Sequence, residues 1–181
     1  MSVMRSRADT DTMGGPPSGA RDFDFLRGHW RVHHRRLRQR LAGCSSWDEF
    51  LGYSRMQTLL GGQANVDDNL LHLPDGDYRA LSLRSFDPRT HQWSIWWLDG
   101  RHPLSLDTPV VGRFANGVGL FMAEDRFDGR PIRVRFTWSE TTGQSPRWAQ
   151  AFSADGGQTW ETNWTMRFEP WDAARSPVEA G

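Results

Sequence analysis

The sequence predicts an all-β protein: an antiparallel up-and-down β-barrel of about ten strands with a short N-terminal helical turn. Three observations predict it. Short runs of strand-forming residues alternate with tight-turn signals all the way from Trp30 to Phe168. No amphipathic helix longer than a turn or two is available as a crossover between parallel strands. The chain also carries 10 Trp and 10 Phe but only 2 Tyr. Burying one indole removes about 200 Å² from water, roughly 5 kcal/mol at ~25 cal/mol/Å² as an upper bound. So many indoles need a large interior, a ligand cavity or a partner surface. A meander this long closes rather than keep two open edges, and closure on this scale leaves room inside.

Taken in order, residues 1–20 are poor in apolar side chains and end in Met-Gly-Gly-Pro-Pro-Ser-Gly-Ala, which reads as a disordered arm. Residues 21–170 form the barrel domain, and 171–181 a flexible tail. Phe23 to Trp30, Phe-Asp-Phe-Leu-Arg-Gly-His-Trp, opens the domain. A single helical turn carries Phe23 and Leu26, Gly28 stops it in a left-handed conformation, and Trp30 plugs one end. The first strand runs from Trp30 to Leu41 and needs a bulge, because its apolar positions change parity between Val32 and Leu37. Ser46 to Phe50 reads as a helical turn, with Ser46 as cap and Glu49 three residues on.

Strands then follow at Gly52 to Leu60 and Ala64 to Leu73 around Gly61-Gly62, at Tyr78 to Phe86, and at His91 to Leu98 after Asp87-Pro88-Arg89-Thr90. Val110 to Phe114 and Val118 to Arg126 are joined by Asn116-Gly117, the strongest short hairpin signal. In Ile132 to Ser139, Ile132, Val134, Phe136 and Trp138 alternate with polar residues, the pattern of a half-buried strand. Arg147 to Ser153 and Thr159 to Phe168 close the set, linked by Ala154-Asp155-Gly156-Gly157-Gln158.

Composition removes several chemistries. Basic and acidic residues balance at 22 each, so the chain has no net field to gather nucleic acid or an anionic membrane. All 22 basic residues are Arg, which leaves no lysine for a Schiff base or a phosphate loop. Cys44 is alone, so no intrachain disulfide and no Cys-x-x-Cys metal or redox pair can form. With no apolar leader and no run of membrane-spanning length, a soluble cytoplasmic protein is expected.

The opening Phe-x-Phe-Leu-x-Gly-x-Trp, the meander after it and Glu-Thr-Asn-Trp near the end together resemble the calycin superfamily of lipocalins and fatty-acid-binding proteins. They are similar in particular to an uncharacterised bacterial family of lipocalin-like domains. The resemblance spans Phe23 to Phe168 and its motifs are structural. It implies that an Arg of the last strand, here Arg167, stacks on Trp30. Lipocalins proper are secreted and disulfide-bonded, so the intracellular relatives are the nearer analogy. Nitrobindin-like relatives hold haem through a late histidine. The last histidine here is His102, which leaves His72 and His102 as the axial candidates and weighs against haem.

Ser153 to Trp160 matches the Asp-box, Ser-x-Asp-x-Gly-x-Thr-Trp, of sialidase propellers, but a single copy reads as a hairpin in which Asp155 binds loop amides and Trp160 packs beneath. The first strand holds Arg27, Arg31, Arg35, Arg36, Arg38 and Arg40 beside His33 and His34. Neighbours on a strand face opposite ways, so they form no single patch and no metal chelate, and a solvated face is expected. The same parity lets Asp67 and Asp68, or Glu124 and Asp125, supply one inward carboxylate each.

His102, in the Asp99-Gly100-Arg101-His102-Pro103 loop near Asp107, is the catalytic candidate. The ligand-binding candidates are Trp96, Trp97, Trp148 and Trp164 with Arg84, Arg135, Gln150 and Asn163, a set suited to an aromatic or apolar molecule carrying an acid or carbonyl. Trp93 and Trp138 belong to the same aromatic group. Trp96 and Trp97 point to opposite sides, so one indole needs cover, from the N-terminal arm or a homodimer. The leading expectation is a barrel that binds a small apolar or aromatic ligand. The alternatives are a cofactor-free isomerase, cyclase or hydrolase using His102 or a lumenal carboxylate, and a dimeric interaction protein with a filled barrel.

Overall fold

The computed structural model describes residues 19–172. Its strands are β1 (Gly28–Leu37), β2 (Trp47–Leu59), β3 (Ala64–Leu73), β4 (Gly76–Asp87), β5 (Gln92–Asp99), β6 (Val110–Ala115), β7 (Val118–Phe127), β8 (Arg130–Ser139), β9 (Arg147–Ser153) and β10 (Glu161–Pro170). Each pairs antiparallel with its neighbours in the chain, and β1 pairs with β10, so the 10 strands close into an up-and-down barrel. This is a lipocalin-like architecture. Asn116 and Gly117 both take positive φ, 51° and 78°, the mirror-image turn that matches strand twist.

One end of the barrel is plugged. The 3-10 turn Asp24–Leu26 lies across it, and Phe23, 1% exposed, meets Trp93 and Phe114 edge-on with ring centroids 5.0 Å away. Gly28 leaves this turn with φ at 104°, a conformation that a side chain would strain. Trp30 then donates its indole N–H to the Leu26 carbonyl at 2.7 Å. Gly19 and Ala20 belong to the plug: Gly19 accepts a hydrogen bond from Trp93 and Ala20 is buried. Beyond the last strand, the Trp171 amide bonds the His29 carbonyl and the ring packs on Tyr53. The rest of the arm and tail expected from the sequence lies outside the described residues.

Three expectations need correction. Ser46 to Phe50 is not helical, because β2 begins at Trp47, where pairing of Trp47 with Leu37 and Phe50 with His34 outweighs one marginal capped turn. The first strand has no bulge: its register against β2 runs unbroken from Gly28 opposite Met56 to Leu37 opposite Trp47, and the strand ends there. The irregularity sits in β10, between Thr162 and Trp164. Arg167 does not cover Trp30. It pairs across from His33 on the outer face and binds Glu169, while Phe168 packs edge-on against Trp30 at 6.1 Å.

Candidate functional site

Trp30 sets the parity of β1, so Val32 and His34 face inward behind it, and the register carries that parity round the wall. The inward rows leave an internal cavity of about 470 Å³, within the range of roughly 300–1,000 Å³ usual for small-molecule sites. Ile95, Trp97, Phe136, Trp138, Trp148 and Trp164 supply its apolar wall. The indoles pack edge to face, with Trp164 at 5.9 Å from Trp97 and 5.7 Å from Trp148.

Toward the plugged end the cavity carries an ion pair taken out of water. Arg84 and Asp67, with side chains 3% and 5% exposed, are bound in a bidentate fork at 2.6 and 2.8 Å. Asn65 accepts a further Arg84 N–H at 2.9 Å. The guanidinium lies 4.8 Å from the Phe23 ring centroid, and its Nε has no partner among the described residues. Asp67 is therefore the inward member of the Asp67 and Asp68 pair, but it is spent on Arg84 and is no free base. Asp68 instead reaches Arg79 on the outer face.

The open end is polar. Arg36, Arg40, Tyr78, Asp99, Arg101, His102, Asp107, Asp125 and Arg126 surround it. Arg101 binds Asp99 at 2.6 Å and lies 3.7 Å from the Tyr78 ring centroid. Burial pushes the Asp107 carboxyl above its ordinary value, the charges of Asp125 and Asp99 add to this, and Arg40 opposes it. Burial likewise pushes the Arg40 guanidinium below its ordinary value, helped by the charge of Arg36.

The sequence-predicted residues separate clearly. Arg84, Trp97, Trp148, Gln150 and Trp164 border the cavity from inward positions, Trp96 touches its edge from a position of the opposite parity paired with Leu83, and His102 sits in the loop at the mouth. Asn163 stands at the β10 irregularity, fully buried, and accepts a hydrogen bond from Gln150 at 2.8 Å rather than bordering the cavity. Arg135 is elsewhere, stacked 4.3 Å from the Trp160 ring centroid. The Asp155 loop is a self-contained hairpin: its carboxylate accepts from the Gln158 and Thr159 amides and from the Ser153 and Thr159 hydroxyls, and Trp160 donates to Gly157.

Parity along β1 also puts His34 in the interior. Its Nδ1 accepts the Trp164 indole N–H at 3.2 Å and its ring stacks on Phe50 at 4.7 Å. Burial holds it neutral, down to about 3, with the charges of Arg36 and His33 adding to the effect. Gly52 leaves space for this ring, since a Cβ there would stand 2.7 Å from His34 Nε2 and 2.8 Å from the Leu70 carbonyl oxygen. The histidines differ in their placement. His72 is bonded to Asp77 on the outside, His34 Nδ1 is occupied, and His102 stands at the rim. No group of three or more potential metal-ligating side chains occurs among the described residues, and no helix there is long and apolar enough to cross a membrane.

No family model matches the sequence, and no curated protein matches it. The architecture and the lumenal geometry therefore carry the functional argument.

Proposed function

We propose that the protein is a cytoplasmic, lipocalin-like carrier of bacterial type that holds one small apolar or aromatic molecule in its lumen. The observation that supports this is the aromatic-walled cavity of about 470 Å³, closed by Phe23 at one end and bordered by polar groups at the other. Burial of a ligand against Trp97, Trp148 and Trp164 would stabilise it through area and through the faces and edges of the indoles. Tryptophan emission titrated with fatty acids, aromatic acids and haem tests the reading. Saturable quenching or a blue shift by an apolar ligand supports it, and a flat response across the whole panel refutes it.

Two observations favour other readings. Asp107, pushed up by burial beside the His102 loop, suits a cofactor-free isomerase, cyclase or hydrolase. Such an enzyme would turn over a lumenal ligand and lose that turnover in Asp107→Asn. The outer face carries a partly exposed apolar band, with Leu83 beside Trp96 and Val111 beside Met122. A homodimer on that face would appear as a doubled mass in sedimentation and revert to monomer in Leu83→Glu.

A further inference from the structure

Arginines on the first strand and the loop after it divide into two groups. Arg31, Arg35 and Arg38 are on the outer side, and each holds a carboxylate, Glu169, Glu49 and Asp48 respectively. Arg36 and Arg40 border the cavity and hold no carboxylate at ion-pair distance among the described residues. Instead both rest on aromatic rings. Arg36 Cζ lies 5.7 and 5.4 Å from the ring centroids of Phe50 and Trp164, and Arg40 Cζ lies 5.9 and 5.7 Å from those of Phe127 and Phe152. A guanidinium stacked on a ring keeps its N–H edge for other partners; Arg36 uses part of that edge on the Tyr78 hydroxyl, and the remaining donors are of the kind that grip a carboxylate.

The charges of Glu161 and Asp107 reach Arg40 only from beyond ion-pair distance while Arg36 adds a like charge, so an incoming anion would supply the direct carboxylate partner that both guanidinium groups lack. The deep arginine does not compete for the anion, because Arg84 is already neutralised by Asp67. Nor do all the carboxylates at the mouth oppose it equally. Asp99 is bound to Arg101 and Glu161 accepts the Leu41 amide N–H, whereas Asp107 and Asp125 hold no arginine at ion-pair distance among the described residues.

Building on the lumenal-carrier reading, we propose that the ligand is an organic carboxylate held head-outward, its acid group clasped by Arg36 and Arg40 and its aromatic or alkyl body packed below against Trp97, Trp148 and Trp164. Charge recognition is thus placed at the entrance, and the deep Arg84–Asp67 pair serves the wall.

A matched pair of probes tests this: 2-naphthaleneacetic acid and its primary amide, titrated by calorimetry at neutral pH into the full chain. The wild-type protein is expected to prefer the acid by at least about tenfold. The double variant Arg36→Gln with Arg40→Gln should lose that preference while holding the amide within about twofold, which also reports that the barrel is intact. Arg126→Gln, at the mouth but outside the pair, should keep the preference. Equal binding of acid and amide by the wild type, or a preference that survives the double variant, overturns the charge assignment and leaves the lumenal carrier standing. Binding of neither probe counts against both.

Discussion

Replacing His34 should flatten the acid limb of the stability curve. In the folded protein its ring is buried between Phe50 and Trp164 and held neutral down to about 3, whereas in the unfolded chain a histidine takes a proton near its ordinary value of about 6.5. Below about 6.5 the unfolded state therefore binds a proton that the folded state refuses, and stability falls with pH at up to about 1.4 kcal/mol per unit for this one group. The contribution is fully present above that value and lost progressively on acidification toward 3. Between pH 7 and 4.5 the loss amounts to about 2 to 3 kcal/mol.

The variant His34→Gln keeps an acceptor for the Trp164 indole and removes the titration. Urea unfolding at the two pH values, followed by far-ultraviolet circular dichroism, gives the difference for each protein. The wild type should lose about 2 to 3 kcal/mol more than the variant over this interval. Subtracting one protein from the other cancels the carboxylates, including Glu169, which Arg167, Arg31 and His33 hold down to about 2. Equal pH dependence in the two proteins would refute the reasoning, as would an imidazole resonance of His34 that titrates above pH 5 in the folded state.

Other expectations follow from the same geometry. Asp67→Ala leaves the Arg84 charge buried and unpaired and should cost about 3–5 kcal/mol in a denaturant midpoint analysis, whereas replacing both partners with apolar side chains of similar volume should cost far less. Gly52→Ala drives a methyl group onto His34 and the Leu70 carbonyl and should destabilise by about 1–3 kcal/mol, as read from thermal unfolding. Asp155→Ala removes the acceptor of the Gln158 and Thr159 amides. Those amides should exchange with solvent faster in the variant while the amides of β1 are unchanged.

Much of the barrel was legible because its signals are local. Asn116-Gly117 declares a hairpin through backbone conformations that few residues adopt, and the alternation from Ile132 to Trp138 declares a strand with one buried face. The inner surface was harder to read because hydrophobic patterning marks burial only when the buried groups are apolar. Here the inward row of β3 contains Asn65 and Asp67, and that of β4 contains Ser82 and Arg84, so the charged pair conceals the parity it occupies.

Arg36 and Arg40 were read as a solvated face for a related reason, since a charge run looks alike whether or not partners exist for it. A usable signal was present. Taking Trp30 as inward and counting by twos reaches Val32, His34 and Arg36, but the bulge expected in β1 broke that count. The same expectation hid the real irregularity at Asn163, which lets Asn163 and Trp164, adjacent in sequence, both be buried.

Closure between β1 and β10 bears on how the protein is made. Every other pairing joins strands adjacent in the chain, but this one joins Val32 to Phe168, so a polypeptide emerging from the ribosome carries two unsatisfied strand borders until β10 is released. Chains stalled before Glu161 should template intermolecular sheets, and their rescue by a synthetic peptide spanning Glu161 to Pro170 would show that the last strand is what terminates that growth.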